Sequence, residues 1–455
     1  MSTTIAAIAT PAAPAGLGVI RLSGDGAIDI ASRVFRPAKR GASLAEAAGY
    51  TALYGHVFDA SGDLDDCVAV VFRAPHSFTG ENVVELSCHG GVYLLQRVLR
   101  AVIEAGARAA TAGEFTKRAF INGKMDLTGA EAVMQTIAAD GQLSIRSAAA
   151  SREGAVYRAL TAVKSELVHV GAQFAAFIDY PDEDIPDLPT EELAAALYRA
   201  KSGVEQLLAT FDAGRVVREG IDAAIVGSPN VGKSTLMNRL TGYDCSIVTD
   251  VAGTTRDVVE QTVRLGDVTL RLADTAGIRA SDDKVEAIGI DRARAKMQQA
   301  ALVLAVFDTS RAPSDDDRAL IRDLADVPAI AVLNKADLPP AADWVAITDG
   351  FSHVVSVSAV SGDGIDRLSE AVAAVTGVAG LTGDEPILAT ERQRDCAVRA
   401  RGCIEEAIAA IETGLTPDAA AISIDGAIGA IGELTGERAA DTVIEDIFAR
   451  FCVGK

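Results

Sequence analysis

Residues Gly227-Ser228-Pro229-Asn230-Val231-Gly232-Lys233-Ser234 spell a complete G-x-x-x-x-G-K-[ST] phosphate loop. The apolar run Ala223-Ala224-Ile225-Val226 precedes it, and the helix-compatible Thr235-Leu236-Met237-Asn238-Arg239-Leu240 follows. That strand–loop–helix setting gives the pattern a physical meaning. The glycines let main-chain N–H groups close around phosphate oxygens at the positive end of a helix. Asn230, Val231, Gly232, Lys233, Ser234 and Thr235 are then the expected phosphate contacts, with Lys233 as a point charge and the Ser234 hydroxyl directed at Mg²⁺.

Four further motifs follow in the order that a doubly wound nucleotide-binding domain requires. Asn334-Lys335-Ala336-Asp337 comes directly after the apolar run Ala329-Ile330-Ala331-Val332-Leu333. A carboxylate at Asp337 accepts from the N1–H and 2-amino groups of guanine, a donor pair that adenine lacks. The Lys335 stem would cover the base. Ser358-Ala359-Val360, after Val354-Val355-Ser356-Val357, fits a second base-contacting loop. Asp274-Thr275-Ala276-Gly277 follows the strand-like residues 268–273; its Asp would hold Mg²⁺ through water and the Gly277 N–H would sense the γ-phosphate. Between these lies Gly253-Thr254-Thr255-Arg256-Asp257, whose hydroxyls suit Mg²⁺ in a loop ordered by triphosphate. The four motifs together predict a P-loop GTPase domain. GTPases that orient the attacking water with Gln place it just after the Gly277 turn, where this chain has Ile278. Asp282, Asp283 and Glu286 are the nearby carboxylates.

At 455 residues, two or three domains are expected. Hydrophobic content of 49% with 23% charged residues marks a folded chain. No signal peptide or membrane-spanning apolar run is visible, which predicts a cytoplasmic protein without membrane contact. Cys67, Cys88, Cys245, Cys396, Cys403 and Cys452 show neither disulfide density nor zinc-ligand pairing. The net charge of −21 excludes a generally basic nucleic-acid surface, so RNA contact would need a local patch or a partner protein.

Residues 1–120 mix short apolar strands, Gly18-Val19-Ile20-Arg21-Leu22 and Cys67-Val68-Ala69-Val70-Val71-Phe72 among them, with a helix-like stretch at 93–105, which is α+β grammar. Residues 129–178 read as helical. Leu160, Val163, Leu167, Val170, Phe174 and Phe177 form a 3.5-residue stripe, suited to a bundle core or to a partner-binding coiled coil. Asp179-Tyr180-Pro181 ends that helix, and residues 392–413 and 425–451 read as two more. The predicted fold is therefore multidomain α+β and α/β, with a doubly wound P-loop GTPase domain inserted into a helical bundle domain. Polar turns at Gly214-Arg215 and Thr376-Gly377 are the expected junctions.

The tail Phe451-Cys452-Val453-Gly454-Lys455, with Ser77-Phe78-Thr79-Gly80-Glu81, His89-Gly90-Gly91, Gly113-Glu114-Phe115 and Arg118-Ala119-Phe120-Ile121-Asn122-Gly123-Lys124, resembles the MnmE (TrmE) family of tRNA wobble-uridine modification GTPases. The resemblance implies an N-terminal domain over 1–120 that binds 5-formyl-tetrahydrofolate or a related one-carbon folate and forms the homodimer. It implies a helical domain in two parts, 121–215 and 379–455, and a GTPase domain over 216–378. Arg21, Glu85, Lys124 and Lys455 match its folate positions. Cations suit the folate carboxylates and a carboxylate suits the pterin donors. Thr249, Asp250, Val251, Ala252, Gly253, Thr254 and Thr255 match the switch I segment around GTP. Asn230, Thr249, Val251 and Thr254 match K⁺ ligands, Ser234 and Thr255 match Mg²⁺ ligands, and Glu286 matches the carboxylate that orients the water. The implied activity is K⁺-dependent GTP hydrolysis driving addition of an aminomethyl or carboxymethylaminomethyl group at C5 of the wobble uridine in certain tRNAs. The implied partner is the FAD-dependent MnmG (GidA) protein, in a heterotetramer. A ribosome-assembly GTPase of the Era or Der type, or a folate-dependent transferase regulated by GTP, are the competing readings.

Overall fold

The computed structural model describes residues 3–179, 190–243, 260–273 and 300–455. They form two compact units: residues 1–134, 151–201 and 399–455 in the first, and residues 135–150 and 202–398 in the second.

The first unit contains a seven-stranded sheet ordered β3-β4-β5-β6-β2-β1-β7, built from β1 (Ile5–Ile8), β2 (Ala15–Ser23), β3 (Phe35–Pro37), β4 (Thr51–Asp59), β5 (Gly62–Phe72), β6 (Val83–Gly90) and β7 (Arg108–Ala109). Neighbours are antiparallel except β1 and β7. One face is buried under the helix Val92–Glu104, whose Leu95, Val98 and Val102 point inward at helical spacing. The register sets Arg21 of β2 opposite Glu85 of β6, so unlike charges meet across the ladder.

Helices make up the rest of this unit. Residues 129–178, read as one helical stretch, fall into the end of Leu127–Ala138, then Gln142–Arg152 (assigned to the second unit as far as residue 150) and Ala155–Asp179. Leu160, Val163, Leu167, Val170 and Phe174 are buried and Phe177 is half-buried. Ala155–Asp179 packs on Pro417–Thr435, and a Cβ at Gly171 would lie 3.3 Å from Ile424 Cγ2. The stripe is thus used inside the chain, as a bundle core. The expected helix over 425–451 is two helices, Pro417–Thr435 and Asp441–Ala449. Gly436 breaks it: φ is 92° in the left-handed region, and a Cβ would sit 2.7 Å from Leu127 Cβ.

The second unit holds a six-stranded sheet ordered β13-β12-β11-β8-β10-β9, from β8 (Ile221–Val226), β9 (Glu260–Leu265), β10 (Val268–Ala273), β11 (Leu302–Asp308), β12 (Ala329–Asn334) and β13 (His353–Ser356). Only the β9–β10 pair is antiparallel. Every residue of β11 and β12 is buried, as expected for parallel strands covered on both faces. Chain order reverses at β8, which places the loop after that strand at a topological switch point, where such sheets bind ligands. Gly214-Arg215, expected as a turn, lies inside the helix Phe211–Glu219; five buried residues there outweigh the turn tendency of one glycine. Gly377, at φ 74°, does follow the helix Ile365–Val375 as a turn.

Candidate functional site

The phosphate loop leaves β8 and enters the helix Lys233–Tyr243. Gly232 has φ 98°, and a Cβ there would lie 2.3 Å from Asn334 Nδ2, so only glycine fits. Asn230 also adopts a left-handed φ, 61°. Lys233 Nζ donates to Gly227 O at 2.7 Å and Ser228 O at 2.9 Å, and burial pushes its pKa down. These are the loop carbonyls, and the ammonium they hold is the charge that a phosphate would meet. Val231 is buried; Asn230, Ser234 and Thr235 are exposed.

Asn334, at the end of β12, is 2% exposed. Its Nδ2 donates to Val231 O at 2.8 Å, and its Oδ1 accepts from Ala359 N at 3.0 Å. One amide therefore ties the phosphate loop to the Ser358-Ala359-Val360 loop. Ser358 is buried, its Oγ accepting from Ser361 N at 3.2 Å, while Ala336, Asp337 and Val360 are exposed. Lys335, at φ 64°, places Nζ 2.6 Å from Asp308 Oδ2. Burial raises the Asp308 pKa, but Lys335 and Ser310 outweigh it and hold the carboxyl below its ordinary range. Arg239 donates to Ala359 O at 3.2 Å and to Val360 O. No nucleotide-binding motif contains Asp308 or Arg239. Each lies in an ordinary strand or helix pattern and acquires its role only from a loop far along the chain. Thr249, Asp250, Val251, Ala252, Gly253, Thr254, Thr255, Asp274, Thr275, Ala276, Gly277 and Glu286, with Ile278, Asp282 and Asp283, lie outside the described residues.

A second polar cluster lies in the first unit. Arg21 Nε bonds Glu85 Oε1 at 2.8 Å, Arg21 Nη1 donates to Gly454 O at 3.2 Å, and the guanidinium lies 5.8 Å from the centre of the Phe115 ring. The tail is held as an extra strand-like segment. Val453 bridges Ala112, Gly113 N donates to Cys452 O at 3.4 Å, and Phe115 N donates to Lys455 O at 3.1 Å. Phe451 is buried beside Phe448, and Cys452 is exposed. Arg21, Glu85 and the tail thus come together. Lys124 Nζ donates to Pro75 O at 3.1 Å. Beside them, Arg118 pairs with Glu81 at 2.9 Å and Glu114 at 3.1 Å, and Ser23 Oγ donates to Glu81 at 2.7 Å. That network joins three segments, and sequence spacing gives no sign of it.

Two family models match the chain: the GTP-binding protein TrmE N-terminus over residues 4–124 and the MnmE helical domain over residues 127–452. The chain belongs to the MnmE family. Its curated relatives include the tRNA modification GTPase MnmE of Symbiobacterium thermophilum, 43% identical over 456 residues and 99% of each chain. That of Geobacter metallireducens is 42% identical over 456 residues, again 99% of each. That of Lactobacillus acidophilus is 38% identical, covering 99% of this chain and 98% of the relative. The match to the MnmE helical domain runs through both units. Among the described residues no helix is long and apolar enough to cross a membrane.

Proposed function

We propose that this protein binds and hydrolyses GTP, and that hydrolysis drives addition of an aminomethyl or carboxymethylaminomethyl group at C5 of the wobble uridine in certain tRNAs. The observation that carries the nucleotide reading is the Asn334 amide, which holds the phosphate loop through Val231 and the base loop through Ala359. A site built at both ends of one nucleotide is the simplest account of a buried side chain spent on that bridge. The domains would be 1–120, 121–215 with 379–455, and 216–378, as the resemblance implies.

In this reading Asp337 accepts from the guanine edge and Lys335, set by Asp308, covers the base. Lys233 exchanges its two loop carbonyls for phosphate oxygens, which turns an internal contact into a charge-assisted one. Ser234, with Thr255, would hold Mg²⁺; Asn230, with Thr249, Val251 and Thr254, would hold K⁺. The exposed Asn230 and Ser234 are oxygen donors suited to hard cations. Bound cations would supply positive charge against the charge that develops on the transferred phosphoryl group. Glu286 would orient the water in place of the Gln absent at position 278. Arg21, Glu85, Lys124 and Lys455 would receive a one-carbon folate. Arg21 and Glu85 fit that role, being half-buried, opposite in charge and fixed across a ladder. The flavin would reside on an MnmG-type partner, the MnmE protein acting as a homodimer in the cytoplasm.

Two measurements test the proposal. Nucleoside analysis of tRNA from cells lacking the protein should show loss of the C5-modified wobble uridine; an unchanged profile would refute the tRNA reading. Replacing K⁺ by Na⁺ should leave GTP binding intact and lower turnover strongly, since a charge in the arginine-finger position is worth about 10³–10⁵ in rate. Equal turnover in the two salts would remove K⁺ from the mechanism.

A further inference from the structure

Three side chains that no nucleotide motif contains, Asp317, Arg311 and Asp308, join the two ends of the site. Ser228, the second residue of the phosphate loop, donates from Oγ to Asp317 Oδ1 at 2.6 Å. Asp317 is 0% exposed and also accepts from Ser314 N at 2.9 Å and Ser314 Oγ at 2.8 Å, at the start of the helix Asp315–Asp323. Arg311 Nη2 lies 3.1 Å from Asp317 Oδ2, and Arg311 Nε lies 4.0 Å from Asp308 Oδ2. Asp308 is the carboxylate that holds Lys335 at 2.6 Å. The path therefore runs Ser228, Asp317, Arg311, Asp308, Lys335, from the loop carbonyl that holds Lys233 to the residue beneath the base. The Arg311 main chain is itself fixed, because Trp344 Nε1 donates to Arg311 O at 3.1 Å and Trp344 packs on Phe307 of β11.

We propose that Arg311 is a positioning residue that couples the base loop to the phosphate loop. Its guanidinium lies between two carboxylates, one buried against the phosphate loop and one gripping Lys335. Removing that cation leaves Asp317 desolvated with its hydroxyl and N–H donors alone, and leaves Asp308 to bind Lys335 more tightly. Both ends of the nucleotide site then lose their set position together. Arg311 touches no part of the nucleotide in this scheme; it acts through Ser228 and Lys335.

The inference rests on the GTP-site reading, so the unaltered protein is the control. If it binds no guanine nucleotide, that reading fails and not this one. Given binding, dissociation constants for GTP and GDP are measured for Arg311→Gln, Arg311→Lys, Ser228→Ala and the double variant Ser228→Ala/Arg311→Gln, each with its melting temperature. Arg311→Gln is expected to weaken both nucleotides by about five- to tenfold, the range of contact-level couplings. Arg311→Lys should recover part of the loss, and the double variant should bind no worse than the weaker single one, because both substitutions break one path. Binding within about twofold of the unaltered protein in Arg311→Gln, or losses that multiply in the double variant, would overturn the proposal. Should Arg311→Gln unfold, the same cycle run with Arg311→Lys and Ser228→Ala decides it by the same criterion.

Discussion

Asp337 is exposed while its motif neighbour Asn334 is buried, and the difference follows from what each must meet. Asn334 bonds protein at both ends of its amide, whereas Asp337 is exposed, as the proposed contact with a base requires. Asp337→Asn should weaken GTP binding by about 10- to 100-fold, the cost of a hydrogen bond to a charged acceptor, and shift preference to xanthosine triphosphate, whose C2 oxygen accepts where guanine donates. Competition binding with the two nucleotides measures this, and an unchanged preference for GTP would remove Asp337 from base recognition. Glu286→Ala should keep GTP affinity near that of the unaltered protein and lose most of the hydrolysis. Normal turnover in that variant would move the water-orienting role to Asp282 or Asp283.

The helix Glu114–Ile121 shows how one element gathers charges from distant strands. Glu114, in its first turn where a carboxylate is favoured, accepts from Arg108, from Thr111 N at 3.0 Å and from Arg118. Burial pushes the Glu114 carboxyl up, but Arg108, the Thr111 N–H and Arg118 outweigh it and hold the pKa at about 2, against an ordinary 4.5. A carboxyl depressed on folding gives its full stabilisation above the unfolded value and loses it as pH falls from about 4.5 through about 2. At about 1.4 kcal/mol per unit, that is ~3 kcal/mol at neutral pH. Hydrogen exchange at the amides of this helix and of β7 should therefore lose protection over that window. Glu114→Gln should show lower protection at pH 7 and little further loss on acidification. A wild-type-like acid profile in Glu114→Gln would assign the effect to other groups.

At the scale of the whole molecule, the tail reaches a strand more than four hundred residues earlier, and this tests the folate reading. Deleting residues 451–455 removes the Gly454 O contact to Arg21 and the Lys455 O contact to Phe115, both in the first unit. The second unit has its own core around β8, β11 and β12. The truncated protein is expected to lose 5-formyl-tetrahydrofolate binding, measured by titration calorimetry, and to keep GTP binding. Normal folate affinity would make the tail a structural segment only. The sequence by itself determined where the strand–loop–helix junction at Gly227–Ser234 lies, because that geometry is a local problem. Glycines at fixed offsets, one lysine, and apolar runs that read as buried parallel strands state its solution within a few residues. It also determined the helical stripe from Leu160 to Phe174, since burial of one helix face repeats along the chain. Only the tertiary structure decided what the polar side chains hold. The Asn334 bridge, Arg239 on the base loop, the Ser228–Asp317–Arg311–Asp308–Lys335 path and the Glu81–Arg118–Glu114 network each join segments far apart in sequence. A hydrogen bond is specified by where two groups meet after folding, and neither partner's local pattern records the other. The helix break at Gly436 has the same origin: residues 425–451 look continuous in periodicity, and the close approach of Leu127, from another part of the bundle, requires the glycine and ends the turn.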